Sequence, residues 1–233
     1  MSFQFQQFIV DDSNSTMPVS TDSMLLGALT DPGTASSILD IGTGCGVLAL
    51  MMAQKSKAMI DAIEIDKDSA QEASENFQKS PWNTRLGSFG ISLQLFEFLT
   101  DHRYDLIISN PPFFRDSLKS ANHKKNMARH DLTLTFKELI KDVTTLLKKD
   151  GRFAYIIPAD QWPETCKIAE RHLLYPKKIV QIYPYPGALA SRVITELSMD
   201  LTCEIQESEL TILNEERKFS PEYLAVTKDF HYF

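Results

Sequence analysis

The residues best suited to chemistry follow a short apolar run and form a rigid turn. Residues 104–109 suit a buried strand, and four residues continue from it: Asn110, Pro111, Pro112 and Phe113. Because prolines donate no backbone hydrogen bond and keep the chain extended, their carbonyls and the Asn110 amide remain available as acceptors. An aromatic ring beside these acceptors can hold a flat molecule that carries an amino group. A strand end closed by a turn, with two core phenylalanines, is the structural alternative.

A glycine-rich turn is the second candidate site. The stretch LDIGTGCGVLAL places Gly42, Gly44 and Gly46 between a predicted strand and a predicted helix. Glycines permit a sharp turn and let a ligand approach the backbone N–H groups at a helix N-terminus. A dinucleotide-binding loop needs its third glycine at position 47, which is Val47 here, so the spacing disfavours NAD.

Acidic residues flank this turn. Asp40 lies just before the first glycine, where a carboxylate can meet an ammonium group or a bridging water. Glu64 ends the next predicted strand, about 20 residues on, where an acid can accept both ribose hydroxyls. Asp66 is a nearby alternative. A helix cap or a solvated turn explains each acid alone, whereas their order along the chain favours an adenosine that has no phosphate and carries an amino-acid end. S-adenosylmethionine fits that description.

A basic run follows the proline turn directly. It contains five cations: Arg115, Lys119, Lys124, Lys125 and Arg129. A solvated loop is the simpler explanation of such a run, but its position beside the turn predicts contacts to RNA phosphates. The net charge of −7 argues mildly against nucleic-acid binding for the chain as a whole.

An alternating framework is predicted to position these sites. Strands are predicted over residues 36–41, 58–66, 91–95, 104–109, 152–158, 177–185 and 192–205, with helices over 46–56, 67–80, 135–151 and 160–174. This alternation predicts an α/β fold with one mostly parallel sheet of seven strands and helices on both faces. The last two strands have no helix between them, so we expect an antiparallel edge. Residues 1–233 are expected to form a single domain.

Composition excludes several classes of protein. The chain has 233 residues, 43% of them hydrophobic and 24% charged, as in ordinary globular proteins. Its N-terminus lacks the basic start and apolar run of a signal peptide, and no stretch approaches the roughly 18 apolar residues of a membrane span. Cys45, Cys166 and Cys203 are odd in number and far apart, without metal-site spacing. We therefore expect a cytoplasmic protein with reduced thiols, without metal or membrane contact.

Taken together, LDIGTGCG, Glu64 and SNPPFF resemble the motifs of class I S-adenosylmethionine-dependent methyltransferases that act on amino groups. In that family the Asn/Asp-Pro-Pro-aromatic loop receives the target nitrogen. Members modify exocyclic amines of adenine, cytosine or guanine, or a glutamine amide in release factors. The resemblance implies a Rossmann-like class I methyltransferase domain with S-adenosylmethionine as its cofactor.

Three further stretches are similar to bacterial tRNA adenine-37 N(6)-methyltransferases: MPVSTDSMLLGAL, SRVITELS and YLAVTKDFHYF. This resemblance extends over nearly the whole chain. It implies methylation of N(6) of an adenine in tRNA, at anticodon-loop position 37 of tRNA1(Val).

The resemblance also implies a role for each motif residue. The Asn110 side-chain oxygen and the Pro111 carbonyl would accept the two amine hydrogens, which frees the nitrogen lone pair to attack the methyl group. Pro112 would complete the rigid turn. Phe113 would stack the flipped-out base, a contact worth about 1–3 kcal/mol, and Phe114 would lie in the core.

The cofactor site is expected to have two further parts. Residues 1–35 would close over it, with Thr21 and Asp22 at the amino-acid end of the cofactor and also at a helix start. Members of the class usually place an Asp after the third strand to bind the cofactor adenine. The matching stretch here reads LQLFEFL, with Phe96 and Glu97 near that position, so the adenine contact has no assigned residue.

Four other functions share parts of this pattern. A release-factor glutamine methyltransferase would carry an extra N-terminal helical domain, but only about forty residues precede Gly42. A ribosomal RNA guanine N(2)-methyltransferase uses a similar loop, often with additional domains. A DNA adenine methyltransferase usually needs a separate domain to read base edges. A sensor that binds S-adenosylmethionine without catalysis would be expected to lose Asn110 or Phe113. The tRNA enzyme is expected to be a monomer.

Overall fold

The computed structural model describes residues 2–112, 134–202 and 204–231. The strands are β1 (Ser2–Gln4), β2 (Ile9–Asp11), β3 (Ser37–Ile41), β4 (Met59–Glu64), β5 (Leu86–Gly90), β6 (Tyr104–Ser109), β7 (Leu147–Pro158), β8 (Tyr175–Tyr183), β9 (Arg192–Ser198) and β10 (Gln206–Thr211). The helices are α1 (Thr21–Leu29), α2 (Val47–Lys55), α3 (Lys67–Lys79), α4 (Leu93–Leu99), α5 (Phe136–Leu146), α6 (Trp162–Arg171) and α7 (Pro221–Thr227).

Eight of these strands form one sheet, in the order β10-β8-β9-β7-β6-β3-β4-β5. Strand β9 runs antiparallel to β7 and β8, and the remaining neighbours in the sheet are parallel. Strands β1 and β2 form a separate antiparallel hairpin. The predicted α/β fold with a mostly parallel sheet is confirmed.

The sheet differs from the prediction at one edge. Residues 192–205 were expected to form a single strand, but β9 ends at Ser198 and β10 begins at Gln206. Asp200 Oδ1 accepts hydrogen bonds from the Thr202 backbone N–H (2.9 Å) and hydroxyl (2.7 Å). Such a turn interrupts a strand because the side chain replaces the ladder hydrogen bonds. Strand β10 lies beyond the predicted range and pairs with β8, so the sheet has eight strands in the described residues and its antiparallel strand lies inside the sheet.

Two element boundaries were also predicted wrongly. Residues 91–95 do not form the third strand of the sheet; β5 ends at Gly90, and Ser92 caps α4 by accepting the Leu95 N–H at 3.3 Å. The helix predicted to end at Gly151 ends at Leu146. Gly151 lies in β7, where a Cβ would approach the Tyr104 carbonyl oxygen to 2.8 Å. This glycine permits a close backbone approach and does not end a helix.

Alternate residues of the central strands serve two cores. Ile38 and Ile108 point to the face covered by α1, α2 and α3, and Leu39 and Ile107 to the face covered by α4, α5 and α6. Both faces are buried under helices, as expected for a mostly parallel sheet. None of the helices in the described part of the chain has both the length and the apolar character to cross a membrane.

Candidate active site

A cavity of about 720 Å³ lies at the C-terminal ends of the parallel strands. Its walls come from the glycine loop, the ends of β4, β5 and β6, the start of α5, and the N-terminal segment. This edge is where open α/β sheets bind ligands, and the volume suits one cofactor with part of a substrate. Of the residues predicted for the site, the following line the cavity: Gly42, Gly44, Glu64, Asp66, Asn110, Pro111 and Pro112.

The three glycines of the loop have different roles. All three adopt left-handed backbone angles, with φ of 71°, 55° and 87° at Gly42, Gly44 and Gly46. A Cβ at Gly42 would meet no atom within 4 Å, so this backbone faces open space at the cavity. A Cβ at Gly46 would lie 2.5 Å from Phe77, so this glycine lets helices α2 and α3 pack closely. Gly46 does not line the cavity.

Asp40 is fully buried behind the glycine loop. Its Oδ2 accepts hydrogen bonds from the Thr43 hydroxyl (2.5 Å) and the Ala49 N–H (3.2 Å). Its Oδ1 has no partner among the described residues. Burial raises the pKa of Asp40 to about 7; the two hydrogen bonds oppose this rise and the Glu64 carboxylate adds to it. Within the described residues the carboxyl therefore keeps one unused acceptor oxygen, and burial brings its pKa close to neutral pH.

Glu64 joins the glycine loop to the end of β4. Its Oε2 accepts the Gly44 N–H at 3.0 Å and its Oε1 accepts the Asp66 N–H at 2.9 Å. A carboxylate has about four lone-pair positions, so each oxygen retains capacity for a ligand hydroxyl. Glu64 lies at the end of β4, the second strand of the large sheet in chain order, as the sequence predicted.

The cavity walls are acidic. Glu64, Asp66 and Glu138 contribute carboxylates, and no Lys, Arg or His side chain is found among the described wall residues. Hydrogen bonds from Ser69 lower the pKa of Asp66, and hydrogen bonds from Thr135 lower that of Glu138, so both are ionised at neutral pH. Such a cavity favours a cationic ligand and disfavours a phosphate.

The cavity wall beyond β5 is formed by residues that precede Phe96 and Glu97. Phe96 is buried and packs against Phe89, with ring centroids 5.9 Å apart. Neither Phe96 nor Glu97 lines the cavity, which is instead lined by residues 91–94. The difference follows from the shifted β5 boundary, because the strand ends before the stretch LQLFEFL begins.

The proline turn continues β6 into the cavity. Ser109 donates a hydrogen bond to the Ile41 carbonyl (2.8 Å), which fixes the end of β6 beside the glycine loop. Asn110 Oδ1 is buried and accepts no hydrogen bond from the described residues. Phe113, Phe114 and the predicted RNA-binding residues Arg115, Lys119, Lys124, Lys125 and Arg129 lie outside the described residues.

Two predicted cofactor residues lie apart from the cavity. Thr21 is exposed at the start of α1. The Asp22 carboxylate pairs with the Arg192 guanidinium at 2.8 Å, which ties α1 to the start of β9. Neither residue lines the cavity, and the N-terminal segment instead contributes Thr16 and Met17 to its wall.

The family model described as the methyltransferase small domain matches residues 19–165, more than half of the chain. The chain belongs to this methyltransferase family. The tRNA1(Val) (adenine(37)-N6)-methyltransferase of Parabacteroides distasonis is 40% identical over 231 residues, covering 98% of this chain and 97% of the relative. A relative of the same name from Trichodesmium erythraeum is 37% identical over 232 residues, covering 98% and 97%. The resemblance of the motifs to these enzymes is therefore confirmed.

Solved structures agree with the methyltransferase fold. A predicted O-methyltransferase of Agrobacterium tumefaciens superposes with a TM-score of 0.71 at 17% identity, over 90% of this chain and 96% of that one. A putative RNA methyltransferase of Pyrococcus horikoshii gives a TM-score of 0.57 at 17% identity, over 83% and 88%. At such low identity these similarities establish the fold alone.

The observed residues fit S-adenosylmethionine, the methyl donor of class I methyltransferases. The open space at Gly42 would be filled by a side chain, and Oδ1 of Asp40, buried behind the glycine loop, has no partner among the described residues. Glu64 offers acceptors for ribose hydroxyls, and the acidic walls suit a sulfonium cation. Metal-binding groups of three or more His, Cys, Asp or Glu side chains are absent from residues 2–112, 134–202 and 204–231.

The N-terminal strap, residues 11–19, is held over the site by polar side chains that the sequence analysis missed. Asn76, a buried residue of α3, accepts the Asp11 N–H at 3.0 Å and donates to the Asp11 carbonyl at 2.7 Å. It also donates to the Cys45 carbonyl of the glycine loop at 2.9 Å. Asn76 therefore links the strap to the glycine loop directly.

Two further residues of α3 continue this attachment. Glu72 accepts the Asn14 N–H at 2.8 Å, and the Ser69 hydroxyl accepts the Thr16 N–H at 3.1 Å. Together with Asn76, they are spaced by three and four residues and lie on one helix face. Polar residues on the buried face of an amphipathic helix were the available signal, because such groups need partners outside the helix.

The first prediction concerns Asp40 and pH. The folded protein holds a proton on Asp40 up to about pH 7, whereas the carboxyl titrates near 3.8 in the unfolded chain, so stability falls as pH rises through 7. In Asp40→Asn this loss is absent. The unfolding free energy of the variant, relative to wild type, should rise by about 1–3 kcal/mol between pH 5 and pH 8. Thermal denaturation at both pH values measures it. Asp101→Asn, at an exposed position, is the control, and identical pH profiles for wild type and Asp40→Asn would contradict the prediction.

The second prediction compares two glycines. Gly42→Ala places a methyl group in the cavity, so the dissociation constant for S-adenosylmethionine should rise at least about tenfold, corresponding to 1.4 kcal/mol. Gly33→Ala is a matched control, because Gly33 also has a left-handed φ (56°) and a Cβ there would come no closer than 3.8 Å to another atom. Both variants should lose about 1–2 kcal/mol of stability from backbone strain. Calorimetric titration with S-adenosylmethionine measures the affinity of each variant. Equal affinities of the two variants would show that Gly42 does not face the cofactor.

The third prediction concerns the strap. Asn76→Ala removes hydrogen bonds to both the strap and the glycine loop, so we expect faster amide exchange over residues 11–19 and about tenfold weaker S-adenosylmethionine binding. Gln78→Ala, at an exposed position of the same helix, is the control. If Asn76→Ala lowers thermal stability but leaves both exchange in the strap and affinity unchanged, its hydrogen bonds are structural only.

Proposed function

We propose that this protein transfers a methyl group from S-adenosylmethionine to the exocyclic N(6) amine of an adenine in tRNA, at position 37 of tRNA1(Val). The proposal is carried by Oδ1 of Asn110, which lies buried in the wall of the cavity and has no hydrogen-bond partner within residues 2–112, 134–202 and 204–231. Burial of an acceptor without a partner costs about 1–3 kcal/mol, which a substrate donor would offset. The full-length relatives named for this reaction support the same activity.

The chain supplies the surroundings of the methyl donor. S-adenosylmethionine, when bound, provides an electrophilic methyl group on a sulfonium sulfur. Glu64 would accept hydrogen bonds from the ribose hydroxyls, and the glycine loop would let the cofactor approach the backbone N–H groups. Asp40 would accept a hydrogen bond from the ammonium group of the cofactor. Residues 91–94 would contact the adenine ring. The apolar side chains Ile41 and Ile63 in the wall exclude water from the same space.

Asn110 and Pro111 would prepare the target nitrogen. The lone pair of an adenine amine is delocalised into the ring, so the amine is a weak nucleophile. When Asn110 Oδ1 and the Pro111 carbonyl accept its two hydrogens, the nitrogen becomes more tetrahedral and its lone pair more available. Further acceleration comes from alignment, with reacting atoms held about 3 Å apart. Ser109, bonded to the Ile41 carbonyl, keeps this turn in place.

Substrate RNA would be held by residues that lie outside the described ranges. Phe113 is proposed to stack the flipped-out base, and Arg115, Lys119, Lys124, Lys125 and Arg129 to contact RNA phosphates. Thr21 and Asp22 are proposed to close over the amino-acid end of the cofactor. The enzyme is proposed to act in the cytoplasm, as a monomer and without a metal. The release-factor, ribosomal RNA and sensor alternatives have no support from the full-length relatives.

Methyl transfer to RNA tests the proposed function. Wild-type protein, labelled S-adenosylmethionine and tRNA1(Val) transcript should yield N(6)-methyladenosine at position 37, with none in a transcript carrying guanine there. Asn110→Ala should lower kcat by about a thousandfold, an effect comparable to the loss of one transition-state hydrogen-bonding group. Asn110→Asp keeps an acceptor oxygen and should retain more activity than Asn110→Ala.

Cofactor titration completes this experiment. Both Asn110 variants should bind S-adenosylmethionine as wild type does, because the proposed role of Asn110 is toward the amine. Label found only in release factor or as methylguanosine would contradict the substrate. Full activity of Asn110→Ala would contradict the mechanism.

A further inference from the structure

Two loops at the C-terminal ends of β8 and β10 expose a group of side chains that the proposed chemistry does not use. Residues 184–191 join β8 to β9, and residues 212–220 join β10 to α7. Leu189 is 90% exposed, and Tyr185 is exposed on the same loop. Arg217 lies on the other loop, with its guanidinium carbon 3.8 Å from the centroid of the Tyr185 ring. We call Tyr185, Leu189 and Arg217 the rim platform.

Backbone turns hold the rim platform in place. The Ala188 N–H donates to the Tyr185 carbonyl at 3.2 Å, and Gly187 within this turn has a φ of 79°. The Arg217 N–H donates to the Asn214 carbonyl at 3.1 Å. The Arg217 guanidinium and the face of the Tyr185 ring attract each other in a cation–π interaction, which restrains the orientation of the ring. The exposed side chains are therefore presented by ordered turns.

The rim platform lies on the same edge of the sheet as the active site. Strands β6, β8 and β10 run in the same direction, so their C-terminal ends share one edge. Two strands, β7 and β9, separate β8 from β6, which corresponds to roughly 14 Å at about 4.8 Å per strand. Nucleotides next to a target base in a single-stranded loop can reach this distance while the target occupies the cavity.

The charge around the rim platform favours contact with a base over contact with a phosphate. Residues 184–191 carry no charged side chain. Lys218 pairs with Glu216 at 2.9 Å, and Asp160, on the same edge at the end of β7, is exposed. Phosphate binding needs an excess of free cations, which these neighbours do not provide. A tyrosine, an arginine plane and an exposed leucine instead offer flat, partly apolar surfaces of the kind on which unpaired bases stack.

We propose that the rim platform binds an unpaired nucleobase of the substrate RNA, beside the base that enters the cavity. The inference rests on the proposed function, since it assigns a second contact to the same RNA. It gives the protein a means of selecting a single-stranded loop, because a fully paired helix presents no free base face at this position. The platform acts on RNA binding alone and has no role in holding the cofactor.

Kinetics with tRNA1(Val) transcript test this inference. Tyr185→Ala should raise KM for tRNA about 5- to 100-fold, as expected for one lost base stack, with KM for S-adenosylmethionine unchanged. Tyr185→Phe, which keeps the ring, should stay within about twofold of wild type. Arg217→Ala and Leu189→Ala should raise KM for tRNA in the same direction. Leu201→Ala is the matched control, because Leu201 is 69% exposed but lies in the β9–β10 turn at the opposite edge of the sheet.

The salt dependence of tRNA binding identifies the kind of contact. For Tyr185→Ala the slope of the logarithm of affinity against the logarithm of salt concentration should equal that of wild type, because no phosphate contact is lost. The proposal is overturned if Tyr185→Ala and Arg217→Ala both bind tRNA as wild type does, or if Leu201→Ala weakens binding equally. A wild-type protein that methylates no tRNA would instead overturn the proposed function.

Discussion

The hydrogen bonds of the Glu64 carboxylate are the interaction on which the site depends. They join the glycine loop to the end of β4, so that one acid fixes the backbone of two neighbouring crossovers. Gly44, held in this way, lies against the strap, since a Cβ there would come within 3.5 Å of the Met17 carbonyl oxygen. The position of the strap, the shape of the loop and the width of the cavity are therefore set together. A ligand that bonds to Glu64 meets a carboxylate whose orientation has already been fixed.

Behind the glycine loop, single side chains also join several backbone segments. Asn76 uses one amide group to join the strap, the glycine loop and α3, and it is almost fully buried. Asp40 shows the opposite balance, because one of its oxygens is bonded twice and the other has no partner in the described part of the chain. A buried, partly unsatisfied carboxyl lowers stability, and active sites are where such costs are retained. Asn110 Oδ1, in the wall of the cavity, is a second buried acceptor with no partner in the described ranges, and there a ligand can supply the donor.

Much of the fold and part of the site could be predicted from the sequence. The central strands are apolar runs bounded by glycine or proline, and polar residues at the C-terminal ends of parallel strands lie close together, so the positions of Glu64 and Asn110 in the cavity wall could be predicted. Strand β5 was misplaced because its residues LGSFG are weakly apolar, whereas in the next stretch Ile91, Leu93 and Leu95 alternate with polar residues as in a strand, although this stretch begins α4. The roles of Gly46 and Asn76 depend on contacts to α3 and the strap that are distant in sequence. Spacing alone gives no access to such contacts.

The proposed function requires one acidic protein to bind both a cationic cofactor and a polyanionic RNA. The carboxylates of the cavity suit a cationic methyl donor, but the same charges repel the phosphates of a substrate. Acidic neighbours such as Glu216 weaken phosphate contacts beside the rim platform, so the contact proposed there is stacking of a base on Tyr185 and Arg217. Under the proposed function, attraction of phosphates is assigned to the cations of residues 115–129, which follow the proline turn in the sequence. In this proposal one base leaves the RNA loop and reaches the acceptors of Asn110 and Pro111. The nucleotides beside that base are held by stacking. The protein then selects its substrate by the geometry of a single-stranded loop more than by the total charge of the RNA.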